Sequence, residues 1–133
     1  MTEFMDEKQV QEAIQMEASS NHNKLFINSS GAFKDTTGRL VRFGLGHVSK
    51  NQVFKSSDLI GFTMVRVTED MVGKTLPVFT AIECKTPKWK MTNSLREVAQ
   101  KKFIDVIKSN NGIASFCNSV ESYLKEIVNY QPR

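Results

Sequence analysis

The stretch Pro77-Val78-Phe79-Thr80-Ala81-Ile82-Glu83-Cys84-Lys85 constrains this chain more than any other. Its β-branched and aromatic residues predict a strand. Strand alternation puts Phe79, Ala81, Glu83 and Lys85 on one face and Val78, Thr80, Ile82 and Cys84 on the other. A carboxylate and an ammonium therefore share a face with apolar neighbours. Charges placed that way are expensive to bury unless they bind each other or a ligand. A Glu-x-Lys triplet is also common as an exposed ion pair on an edge strand, so its meaning depends on what the fold brings beside it.

A second strand is predicted over 58–67, where Asp58 leads the apolar run Leu59-Ile60-Gly61-Phe62. An antiparallel hairpin of 58–67 with 77–85 would set the start of the first strand beside the end of the second, and so Asp58 beside Glu83 and Lys85. Two carboxylates and a lysine at a strand end suit a hard divalent cation, which takes one or two carboxylates plus water and phosphate oxygens. The main-chain carbonyl of Cys84 offers one more oxygen. A metal so held lowers the pKa of a bound water and stabilises charge at phosphorus, and the lysine can position or deprotonate that water.

The rest of the chain reads as α-β-β-β-α-β-α. A helix is predicted over 3–18 from Phe4, Val10, Ala13 and Ile14, with a polar stop over 19–23. A strand follows at 24–28, turns at 29–32 and 36–39, a short strand at 40–43, and a basic loop over 44–57. After the Glu-Cys-Lys strand comes a basic loop with Pro87 and Trp89. Asn93 or Ser94 then caps a helix to Ser109, with Leu95, Val98, Ala99, Phe103, Ile104 and Ile107 on its apolar face. Asn110-Asn111-Gly112 ends that helix, 113–117 is a core strand, and Ser119 opens a last helix with Glu121 in its first turn. The expectation is one α/β domain over 1–133, a mixed β-sheet flanked by α-helices.

Bulk properties narrow the function classes. A length of 133 residues with 40% hydrophobic residues suits a single core. No apolar run is long enough to span a bilayer, and the acidic start is unlike a signal peptide, which predicts a cytoplasmic protein without membrane association. Cys84 and Cys117 lie in apolar runs and read as buried reduced thiols rather than a disulfide. No Cys/His cluster has zinc spacing, and His22 and His47 are far apart. The net charge is +4, with basic residues concentrated over 34–55, 85–96 and 101–108 and acids crowded into the first seventeen positions. That asymmetry suits either a polyanionic partner or a solvated basic surface.

Several segments, taken together and in order, carry a resemblance. They are Ser56-Ser57-Asp58-Leu59-Ile60-Gly61, then Phe79-Thr80-Ala81-Ile82-Glu83-Cys84-Lys85-Thr86-Pro87, then Gln100-Lys101-Lys102-Phe103-Ile104, then Gly112-Ile113-Ala114 and Ser119-Val120-Glu121. With Glu7-x-x-Val10-Gln11-x-x-Ile14 and Phe26-Ile27-Asn28-Ser29-Ser30-Gly31-Ala32, they resemble the VRR-NUC (virus-type replication-repair nuclease) branch of the PD-(D/E)XK superfamily. The resemblance implies a restriction-endonuclease-like core and hydrolysis of DNA phosphodiesters dependent on Mg²⁺ or Mn²⁺. It makes Asp58 and Glu83 metal ligands, Lys85 the catalytic lysine, Gln100 a helix glutamine beside the site, and Glu7 an amino-terminal helical glutamate, with Glu12 a rival. Ser57 stands where the family usually has proline, and 44–55 is longer than its usual glycine turn.

Other candidates come from residue chemistry. Asn28, Ser29 and Ser30 could hydrogen-bond phosphate, and His47 could touch DNA, although polar turns and exposed histidines need no such role. Lys88, Trp89 and Lys90 suit gripping a backbone or stacking a base, and Trp89 equally suits a subunit contact. The resemblance further suggests a phage or prophage homodimer acting on branched DNA such as a Holliday junction. The contrasting expectation is a non-catalytic nucleic-acid-binding or assembly protein that keeps the fold.

Overall fold

Helix starts and stops are written locally in this chain. The computed structural model describes residues 6–29, 31–45, 48–49, 52–53 and 57–133. The first helix, α1 (Glu7–Ser20), opens at Asp6, whose carboxylate accepts from the Gln9 amide at 2.8 Å while the Gln9 side chain accepts from the Asp6 amide at 3.0 Å. This reciprocal cap satisfies two of the donors that a helix start leaves orphaned. The helix ends at His22, a non-glycine residue at φ 64°, where His22 N–H reaches the Ser19 carbonyl and Asn23 N–H the Ala18 carbonyl. That pair of bonds closes the last turn as a Schellman motif. Phe4, at the predicted start, lies outside the described residues.

Contacts divide the chain into two compact units, 1–65 and 66–133. In the first, α1 packs on β1 (Lys24–Ile27), and Gln15 Nε2 donates to the Leu25 carbonyl at 3.0 Å. β2 (Gly31–Lys34) and β3 (Leu40–Phe43) form an antiparallel hairpin, followed by the two-residue strands β4 (Val48–Ser49) and β5 (Gln52–Val53). The Asp35 carboxylate holds the β2–β3 turn. It accepts from the Thr37 hydroxyl at 2.6 Å and the Arg39 amide at 2.9 Å, which hold it below the usual carboxylate range. β6 (Leu59–Phe62) pairs antiparallel with β1, with Gly61 opposite Leu25. Gly61 is required there because a Cβ would run into the Lys24 carbonyl oxygen.

The second unit contains a 3₁₀ turn at Glu69–Met71, β7 (Thr80–Cys84), α2 (Leu95–Ser109), β8 (Ile113–Cys117) and α3 (Val120–Val128). β7 and β8 are parallel, with Ala81 opposite Ala114 and Glu83 opposite Phe116. Ser94 caps α2 by accepting from the Glu97 amide at 3.2 Å. Asn111, at φ 68°, and Gly112 close it with bonds to the Lys108 and Ile107 carbonyls. Ser119 and Ser122 form the cap of α3, which packs on β8. The core consists of Ile104, Ile107, Ala114 and Cys117, all less than a tenth exposed.

The protein is therefore mixed α/β, with three helices and small two-stranded pairings among the described residues. Six expectations need correction. The hairpin of 58–67 with 77–85 does not form: β6 takes β1 as its partner and β7 takes β8. The strand beginning at Leu59 stops at Phe62 because Met64 N–H goes to the Asn23 side chain, 2.8 Å away, instead of a ladder partner. The expected single mixed sheet appears as separate pairs, and Gly31 and Ala32, expected to finish the turn over 29–32, begin the strand Gly31–Lys34. Leu95, expected inside, is 91% exposed, because the buried residues of α2 are Glu97, Ile104 and Ile107, with half-buried Gln100 between them. Of the two cysteines expected to be buried, Cys84 is exposed and Cys117 is buried.

Two substitutions test this packing. Ile107→Ala empties the best-buried side chain, which is 1% exposed, and is expected to lower unfolding free energy by about 2–5 kcal/mol in urea titrations. Gly61→Ala is expected to disrupt the β1–β6 pair, read as lost amide protection across 24–27 by hydrogen exchange.

Candidate active site

Alternation along β7 sends Glu83 and Lys85 to the same face, and α2 supplies Gln100 to meet them. Lys85 Nζ donates to Gln100 Oε1 at 3.0 Å, and Gln100 Nε2 donates to Glu83 Oε1 at 2.9 Å. The ammonium and carboxylate are 3.9 Å apart. An ammonium can only donate and a carboxylate can only accept, so these partners fix which way the Gln100 amide faces. Lys85 is 15% exposed and Glu83 37%. Among the described residues, hydrogen bonds to the Glu83 carboxylate reach Oε1 alone, leaving Oε2 open. A cleft of ≈ 450 Å³ adjoins Glu83 and Gln100, lined also by Ala81, Ile82, Arg96, Ala99 and Phe103.

The parallel ladder also orients the Cys84 carbonyl. Lys85 N–H donates to the Cys117 carbonyl at 2.9 Å, and Ile113 N–H to the Phe79 carbonyl at 2.9 Å. Odd-numbered residues of β7 therefore bond β8, and the carbonyl of Cys84 points to the opposite edge.

The loop after β7 is fastened at several points. Trp89 N–H reaches the Thr86 carbonyl at 3.0 Å, and the Asn118 side chain donates to the Pro87 carbonyl at 3.2 Å. The Trp89 ring stacks on Phe116, with centroids 5.0 Å apart and planes at 29°. Lys85 Nζ lies 5.6 Å from the Trp89 centroid and 5.5 Å from that of Phe116. Lys88 and Lys90, on either side of Trp89, are exposed.

Glu97 went unnoticed in the sequence. It is 8% exposed, the one buried charged side chain among the described residues. Its carboxylate accepts from Trp89 Nε1 at 2.9 Å, from the Thr92 amide at 2.7 Å and from the Thr92 hydroxyl at 3.0 Å. The Trp89 bond, then the Thr92 amide and hydroxyl and the nearby Lys85 charge, hold its carboxyl below the usual glutamate range against the opposing effect of burial. The available signal was its place at the head of the stripe 97-100-104-107, which runs at helical spacing into the core.

The other predicted residues belong to the first unit. Asp58 is exposed at the start of β6, and its carbonyl accepts from the Asn28 amide at 2.8 Å. Asn28 Nδ2 donates to the Ser57 carbonyl, also at 2.8 Å, so this side chain clamps the start of the strand. Glu7 is exposed in the first turn of α1, Glu12 pairs with Lys8 at 4.0 Å, and Ser29 is exposed. Ser30 and His47 lie outside the described residues. The expected hairpin was the element that joined Asp58 to Glu83. The structure brings together Glu83, Lys85, Gln100 and Trp89, and no three His, Cys, Asp or Glu side chains among the described residues gather as a metal cage. No family model, no curated protein and no solved structure matches the chain.

A depressed folded-state pKa makes a stabilising contribution that is complete above the ordinary carboxylate value and is lost as pH falls through the folded one. For Glu97 the ordinary value is 4.5, so the urea midpoint of the wild type is expected to fall with pH below that point. Glu97→Gln is expected to flatten the slope in this window, and an unchanged slope would show that Glu97 does not titrate with folding.

Proposed function

We propose that the protein is a metal-dependent DNA endonuclease of the VRR-NUC type, built on a restriction-endonuclease-like core over 1–133. The observation that carries this reading is the Glu83–Gln100–Lys85 bridge, in which helix α2 holds a carboxylate and an ammonium side by side at a strand end. Glu83 and the Cys84 carbonyl are the metal ligands that the second unit supplies, and the resemblance assigns Asp58 and Glu7 of the first unit as a further ligand and the helical acid. In kind they fit a hard cation such as Mg²⁺ or Mn²⁺, since all are oxygen donors and the Glu83 Oε2 is open. When bound, such a cation supplies an activated water and charge stabilisation at phosphorus.

The remaining work falls to the chain. Lys85 keeps donors beyond the one given to Gln100, and uses them to orient the attacking water and neutralise charge as the phosphodiester opens. Gln100 keeps Lys85 and Glu83 at a fixed separation. Exposed Lys88 and Lys90 suit contact with the phosphate backbone. The modest basic excess, +4, supports a polyanionic substrate. A two-fold homodimer with paired sites would suit symmetric cuts in a four-way junction, the preferred substrate in this reading.

Purified protein is to be incubated with plasmid, linear duplex and a synthetic four-way junction, in Mg²⁺, Mn²⁺ or EDTA. Cleavage of the junction is expected with either metal and not in EDTA. Glu83→Ala and Lys85→Ala are expected to slow it by roughly 10²–10⁴-fold, and Gln100→Ala by roughly 10–100-fold. Failure of the wild type to cut any of the three, or equal cutting by the variants, sinks the reading. Junction binding without cleavage points instead to a non-catalytic binding protein. Light scattering tests the dimer, which requires twice the 15.1 kDa chain mass.

A further inference from the structure

The bridge to Gln100 explains where the ammonium of Lys85 ends, but not how a side chain with four rotatable bonds is kept there. The two rings beneath it supply that constraint. Trp89 and Phe116 are stacked on each other, and the ammonium lies between 5 and 6 Å from both centroids, within the range of cation–π attraction. Phe116 is fixed by β8, where it pairs with Glu83. Trp89 belongs to a loop and needs an anchor of its own. Its indole N–H goes to Glu97, which also accepts from the Thr92 amide and hydroxyl. Among the described residues every hydrogen bond to the Glu97 carboxylate thus comes from the loop, and Glu97 itself is rooted in the first turn of α2, one turn before Gln100. A buried carboxylate is expensive without partners, and here the partners are the segment that carries the aromatic seat.

We propose that Glu97 is a positioning residue for Lys85: by holding the Trp89 indole against Phe116, it builds the aromatic seat that aims the ammonium at Gln100 and Glu83. The consequence for catalysis rests on the nuclease reading, but the seat itself can be tested without it. The same clasp commits the Trp89 ring to Phe116 and Lys85, so the loop's exposed grip on a nucleic acid is left to Lys88 and Lys90.

The test uses the full chain and reads Lys85 and Trp89 directly. Protons of the Lys85 ε-methylene, one bond from an ammonium that lies within 6 Å of two ring centroids, are expected to resonate upfield of the other lysines in ¹³C-edited spectra, and Lys85→Arg assigns the signal. In Glu97→Ala that signal is expected to return among the other lysines, while acrylamide quenching of Trp89, the chain's one tryptophan, rises. Glu97→Gln keeps a carbonyl acceptor for the indole and is expected to restore both readings in part. Trp89→Phe keeps a ring but removes the N–H, and provides the second test should Glu97→Ala fail to fold. Its Lys85 signal is expected to shift partway. An unmoved Lys85 signal in folded Glu97→Ala, or in Trp89→Phe, overturns the proposal. In cleavage assays Glu97→Ala is expected to lower kcat by roughly 10–100-fold with KM unchanged, and an unchanged kcat overturns the positioning role. If the wild type cuts no DNA, the nuclease reading falls alone, and the lysine signal still decides the clasp.

Discussion

Parallel strands cannot be joined by a tight turn, so pairing β7 with β8 demands a crossover, and α2 is that crossover. A crossover helix runs back against the strand direction. Its amino end therefore lies near the carboxyl ends of the strands, and its carboxyl end near their starts. The sequence is graded to match. Along α2 the inward stripe runs from Glu97 and Gln100 to Ile104 and Ile107. Along β7 the same face runs from Phe79 and Ala81 to Glu83 and Lys85. Apolar ends meet at the bottom, where Ile107 and Ala114 are each 1% exposed, and polar ends meet at the top. Glu83, Lys85, Gln100 and Glu97 thus collect at the carboxyl ends of two parallel strands, the position at which open α/β sheets place their ligands.

How much of this was legible in the sequence depends on the range of each signal. Helix stops were legible at Asn110-Asn111-Gly112 because a residue able to take φ 68° followed by glycine ends a helix without help from elsewhere. The shared face of Glu83 and Lys85 was legible because alternation is a property of one strand. Pairing partners were not legible. Alternation says which face a strand buries and is silent on which neighbour it takes. Leu59–Phe62 gives no sign in its own pattern that 24–27 is its partner, and Gly61 shows its use only in the pair, where it allows the β1 backbone to come close. Glu97 was hidden for a related reason. An acid in the first turn of a helix is ordinarily a solvated partner of the helix dipole, and only the return of Trp89 and Thr92 over the helix buries it.

Asn28, a candidate phosphate contact, also uses its polar side chain within the fold. The β1–β6 ladder ends at Ile27 opposite Leu59. Beyond it, Asn28 continues the pairing through its own amide to Asp58 and adds its side chain to the Ser57 carbonyl. Two bonds from one residue fix the backbone on both sides of the Ser57–Asp58 junction. Asp58 therefore leaves the strand at a defined point, with its carboxylate exposed and its main chain held.

The neutral amide at position 100 is the chemistry the gap requires. A carboxylate and an ammonium 3.9 Å apart on one strand face would collapse into a direct ion pair if nothing intervened, and each would then saturate the other. A carboxylate at position 100 would face Glu83 with like charge, and an ammonium or guanidinium would face Lys85 in the same way. Glutamine alone among long side chains offers an acceptor and a donor side by side, so it bonds both groups and repels neither. It also takes only one oxygen of Glu83 and one proton of Lys85. Among the described residues the other oxygen of Glu83 takes no hydrogen bond, while the rings of Trp89 and Phe116 beside Lys85 and the helix behind Gln100 hold the two charges in register.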